Sequence, residues 1–119
     1  MKKFTAIIAL LLLVSVAFAN KTSVQVNAPE KAKKGQEVTI TIQVSHSANT
    51  KMHHTNWVTL NLNGKEVQRW EYSKKALPPD SNFTLEYKFV PTENTTVTAQ
   101  GNCNLHGSKG PQTVMLSVQ

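Results

Sequence analysis

Beyond residue 20 the chain is patterned by twos. Val38, Ile40, Ile42 and Val44 recur at alternate positions of 36–45, with Thr and Gln between them. Successive side chains of a strand point to opposite faces, so this row predicts a strand with one buried side. Val24 and Val26 alternate in the same way, and Pro29 and then Lys34-Gly35 break and turn the chain before the next row. Val58, Leu60 and Leu62 make another inward row that stops at Asn63-Gly64, a pair suited to a two-residue hairpin. The return carries Val67, Trp70 and Tyr72, and Pro78-Pro79-Asp80-Ser81 is a loop. Phe83, Leu85, Tyr87 and Phe89 alternate most strongly and end at Pro91; Val97 with Ala99, and Val114, Leu116 and Val118, supply the last two rows.

No segment after residue 20 has a helical period. About seven short strands separated by turn residues predict an all-β fold. A single sheet of that size leaves its apolar rows uncovered, so two sheets must pack face to face. The expected architecture is an immunoglobulin-like antiparallel β-sandwich. Both tryptophans, Trp57 and Trp70, are expected in its core.

The first residues follow another logic. Met1-Lys2-Lys3 is basic, residues 7–14 are an unbroken apolar run, and Ala17-Phe18-Ala19 has the small-x-small form of a signal-peptidase site. A membrane span needs about 20 apolar residues, more than the run offers. The reading is a cleaved bacterial signal peptide over 1–19, a single domain over 20–119 with no stable membrane anchor, and a periplasmic or secreted location. The chain's 119 residues leave no room for a second domain.

Cleavage also changes the charge. Removing Lys2 and Lys3 leaves eleven basic residues against seven acidic ones, a net +4 in place of +6. Those lysines are dispersed and there is one arginine, Arg69, so no nucleic-acid partner is expected. The Asn-x-Thr triplets at Asn82 and Asn94 are read as strand and turn residues. The one cysteine, Cys103, has no partner for an internal disulfide. It pairs between chains, lies buried as a small apolar group, or serves as a thiolate on a metal.

Its neighbours weigh on that choice. All four histidines fall in two connections: His46, His53 and His54 within 45–55, and His106 in Cys103-Asn104-Leu105-His106-Gly107. Alternate connections of a sandwich gather at one end, so the two segments can converge. Cys-x-x-His bends two side chains toward one ion, and the longer segment can wrap that ion with two imidazoles. Thiolate and imidazole without carboxylate select iron, copper or zinc over magnesium or calcium.

These segments resemble the desulfoferrodoxin or neelaredoxin family, whose iron domain is a superoxide reductase. The family's Cys-Asn-(Ile or Leu)-His-Gly is present whole at 103–107, and its His…His-(Tyr or His)-x-x-Trp loop is matched by His46, His53, His54 and Trp57. The stretch 28–36 is similar to the family's opening before its long strand. The resemblance implies mononuclear non-haem iron, with Cys103 as axial thiolate and His46, His53 and His106 as equatorial ligands. It also implies an open position where ferrous iron reduces superoxide to hydrogen peroxide. An electron-donor protein, such as a periplasmic cytochrome, would then be needed.

Several departures stand beside it. The family's remaining histidine falls in a Glu-Lys-His segment, where this chain has Asn20-Lys21-Thr22. That ligand is missing, and Lys21 keeps the positive charge expected to attract the anionic substrate. Ser47 replaces a proline, and Ser108-Lys109 replaces a hydrophobic-aromatic pair. The empty fifth place is open to His54, to the amine of Asn20 freed by cleavage, or to water. Two other functions remain in view: a copper-binding, cupredoxin-like electron carrier, against which Met115 stands nine residues beyond His106 and too far for the usual close-set methionine, and a binding module whose metal site has decayed.

Overall fold

The computed structural model describes residues 20–119; the leader predicted over 1–19 lies outside them. Eight strands run in order: β1 (Ser23–Asn27), β2 (Lys31–Ala32), β3 (Val38–Ser45), β4 (Thr55–Leu62), β5 (Lys65–Glu71), β6 (Asn82–Phe89), β7 (Thr95–Cys103) and β8 (Gln112–Val118). They form a three-stranded sheet, β1-β3-β6, facing a five-stranded sheet, β2-β8-β7-β4-β5. The all-β sandwich predicted from alternation is therefore the fold.

Alternation does the packing. Val38, Ile40, Ile42 and Val44 of β3 are buried, while the residues between them are partly or fully exposed. On β7 every inward position from Thr95 to Cys103 is buried. These rows meet Val24, Val26, Val58, Leu60 and Phe83 in one core between the sheets. Each aliphatic side chain taken out of water contributes roughly 1.5–3 kcal/mol, so the core dominates stability. At the β4–β5 turn, Asn63 (φ 51°) and Gly64 (φ 79°) both take the left-handed backbone that a two-residue hairpin needs.

Two expectations need correction. The strands are not all antiparallel: β2, two residues in the segment read as a break and turn, pairs in parallel with β8. Two residues carry no periodic signal, which is why the pattern passed over them. Trp57 is not a core residue. It is half-buried, its neighbour Val58 takes the inward position, and the Arg69 guanidinium lies 5.3 Å from the centre of its ring. Trp70 does pack against the core.

Candidate metal centre

The 46–54 connection leaves β3 and the 104–111 connection leaves β7, and both open at the same end of the sandwich. Cys103 is the last inward residue of β7, opposite Thr55 of β4 and 1% exposed. Its backbone N–H donates to Gly107 O at 2.9 Å, and Gly107 N–H returns a bond to Cys103 O at 3.0 Å. That tight turn, with Gly107 at φ 83°, brings His106 back over the sulfur. His106 Nδ1 lies 3.9 Å from Cys103 Sγ and 3.3 Å from His53 Nε2.

His46 follows the end of β3 and is buried. His46, His53 and Cys103 each bring a donor atom within 4.8 Å of the others. The rings of His46 and His53 stand edge to face with centroids 4.7 Å apart, and those of His53 and His106 lie 4.9 Å apart. His46 Nδ1 donates to Ala48 O at 2.7 Å, which fixes the ring and leaves Nε2 to present its lone pair. The Asn20 main-chain oxygen lies 3.0 Å from that Nε2.

Burial, then the neighbouring imidazoles His46 and His106, hold the His53 pKa below the usual histidine value; a hydrogen bond from its ring to the Asn20 main chain opposes them. A neutral imidazole is the form that binds a metal. A cysteine sulfur and imidazoles converging on one place fit a first-row transition ion. The four residues picked from the sequence as ligands thus come together.

The other candidates are placed differently. His54 is 4% exposed, with Nδ1 2.9 Å from Thr50 O, and it closes the turn of its own loop. Lys21 lines a polar pocket with His46, Ser47, Asn82 and Lys109 at this end of the fold. Met115 sits on β8 opposite Thr96, at the far end of β7 from Cys103, so the copper outline finds no methionine there.

Asn104 has a role that its place in the motif did not announce. Its Oδ1 accepts from His54 N–H at 3.0 Å, its Nδ2 donates to Met52 O at 3.1 Å, and its own N–H donates to His54 O at 3.1 Å. One side chain thereby pins the histidine loop to the cysteine loop. The visible signal was an amide directly after the cysteine, a type that readily bonds to nearby backbone.

The N-terminal segment is clamped to the same place. Thr22 N–H donates to Gly107 O at 3.3 Å, and Lys109 N–H donates to Thr22 O at 2.9 Å. Thr22 is fully buried, its hydroxyl 2.9 Å from that of Thr55. A Cβ at Gly101 would come 2.8 Å from Thr22 Cγ2, so the glycine makes room for the threonine.

Solved structures share this architecture. A superoxide reductase (neelaredoxin) from Ignicoccus hospitalis superposes with a TM-score of 0.66 at 22% identity, over 89% of this chain and 86% of that one. A superoxide reductase candidate from Thermotoga maritima gives 0.63 at 24% identity, over 82% and 86%. Fibronectin(III)-like modules of Clostridium thermocellum CbhA give 0.56 at 18% identity, over 81% and 96%. No curated protein matches the sequence. At these identities the superpositions speak for the fold, but the desulfoferrodoxin family model also matches residues 16–109, a span holding all four converging donors. The chain belongs to the desulfoferrodoxin family.

Proposed function

We propose that this protein is an exported non-haem iron protein that reduces superoxide by one electron to hydrogen peroxide. The observation that carries the reading is the convergence of His46, His53 and Cys103 within 4.8 Å, joined by His106, in a desulfoferrodoxin chain. Iron held there by Cys103, His46, His53 and His106 would supply one electron per superoxide, and two protons from the surroundings would complete hydrogen peroxide.

The chain's residues set up that exchange. Cys103 offers the thiolate from the floor of the site, and His46, His53 and His106 offer imidazoles around it. Lys21 brings positive charge beside His46 and attracts a small anion. Among the described residues one such cluster of metal-ligating side chains is found, and a donor protein would return the electron. Met52 and Leu105, 78% and 60% exposed, flank His53 and His106 and suit a brief contact with such a donor. The basic start, apolar run and Ala17-Phe18-Ala19 support export to the periplasm or beyond with removal of 1–19.

The test is the metal content and visible spectrum of protein purified anaerobically and then oxidised. About one iron per chain is expected, with a thiolate-to-ferric band on oxidation that Cys103→Ser abolishes, followed by superoxide consumption in pulse radiolysis. A chain without metal and with a titratable thiol overturns the iron reading. Iron without superoxide consumption overturns the reaction and leaves the site.

A further inference from the structure

The family's missing histidine falls at Thr22, and two residues before it the Asn20 main chain comes against His46. His46 Nδ1 donates to Ala48 O, so in the neutral ring Nε2 carries a lone pair. The Asn20 carbonyl oxygen, which can only accept, faces that nitrogen at 3.0 Å. Two acceptors so close are reconciled by a proton or a metal cation between them. On a six-coordinate first-row ion with bonds of about 2.1 Å, neighbouring donors stand roughly 3 Å apart, and the pair has that spacing.

Asn20 is held there by contacts on every side. Thr22, two residues on, is locked by its bonds to Gly107 and Lys109 and by its packing over Gly101. The Asn20 side chain is engaged elsewhere, its Oδ1 accepting from Ser47 Oγ at 3.4 Å. Asn20 and Ser47, each a departure from the family pattern, thus meet one another.

We propose that the main-chain carbonyl oxygen of Asn20 is a metal ligand, standing in for the absent imidazole. This rests on the iron reading above, and it concerns the backbone rather than the side chain. The donor set becomes three imidazoles, one thiolate and one neutral oxygen. The carbonyl exists whether or not the chain is cut after Ala19.

Isotope labelling tests it. In Asn20→Ile, produced from the full chain, Ile40 and Ile42 are the only other isoleucines beyond residue 19, and both lie in the core. The variant, grown with isoleucine carrying 13C at the carbonyl and loaded with iron, is oxidised and measured by electron–nuclear double resonance. A 13C coupling absent from identically labelled wild type is expected, with Fe(II) affinity within about threefold of wild type, since the ligand atom is retained. A variant that binds iron normally without the coupling overturns the proposal. So does loss of iron by a folded variant, which would make the side chain the donor. A variant that fails to fold is replaced by Asn20→Val with labelled valine, read against wild type in the same way. If wild type takes up no iron, the iron reading fails separately, and the same measurement on Cu(II)-loaded protein still decides the carbonyl.

Discussion

The two ends of the sandwich handle their polar groups in opposite ways. At the end bearing the β4–β5 turn, each group is answered by a near neighbour. Asn63 Oδ1 accepts from Thr96 N–H at 2.8 Å, Asn94 Oδ1 accepts from Val118 N–H at 2.9 Å, and the Thr95 hydroxyl donates to Glu93 O at 2.8 Å. In each of these contacts a donor meets an acceptor. At the other end, imidazole nitrogens, a sulfur and a carbonyl oxygen crowd together with more lone pairs than protons. One end is closed by its own hydrogen bonds, and the other gathers side chains of the kind that bind a cation. Both are loops on the same scaffold, so the contrast comes from side-chain chemistry.

The comparison is broken most severely by removing an imidazole. His46→Ala and His53→Ala should each lower iron affinity by about 100-fold or more, read by chelator competition, while the folded metal-free chain keeps its circular dichroism. Unchanged occupancy in both would reduce this loop to an ordinary turn. Next comes the pin between the loops: Asn104→Ala should weaken iron about tenfold and cost about 1 kcal/mol of stability, because His54 N–H and Met52 O lose their partner. A smaller effect is expected at the closed end. Asn63→Ala should cost about 1 kcal/mol in thermal unfolding and leave metal affinity unchanged, since it loosens a left-handed turn and removes three solvent-exposed side-chain hydrogen bonds. A loss of iron in that variant would erase the distinction between the two ends.

The smallest effect is a pH dependence of the metal-free chain. His53 is harder to protonate when folded than when unfolded, by burial and by its imidazole neighbours. Its contribution to stability is therefore complete above the ordinary histidine pKa of about 6.5. Below that, the unfolded chain takes up the proton first, and stability falls with pH until the folded pKa is passed. Wild type should lose more melting temperature between pH 7.5 and 5.5 than His53→Gln, and equal losses would remove His53 as the cause.

Much of this was legible in the sequence, for a physical reason. A strand with one buried face must alternate, so the rows on β3, β6 and β7 declared themselves. The site residues declared themselves by type, because thiolate and imidazole gathered in two connections have few other uses. What stayed hidden depends on contacts rather than period. The parallel β2–β8 pair is too short to show a pattern. Trp57 was misjudged on size, although the inward row through Val58 and Leu60 already assigned it to the opposite face; it ends beneath Arg69. The bridging of Asn104 and the position of Asn20 join residues far apart in the chain, and only the folded backbone brings them to one place.

Burial of the thiol at the end of a strand has a consequence for assembly. Thr95, Val97, Ala99, Gly101 and Cys103 occupy successive inward positions of β7, and pairing with β4 and β8 fixes the count. The strand acts as a ruler whose last mark is the sulfur. Insertion of one residue between 97 and 102 would shift the parity and turn Cys103 outward, while the residues before the insertion held their places. A buried thiol that no second chain can touch would then become an exposed one, and in an oxidising medium it would cross-link two copies. Parity along one strand thus decides whether the sulfur faces the histidine cluster or a second chain.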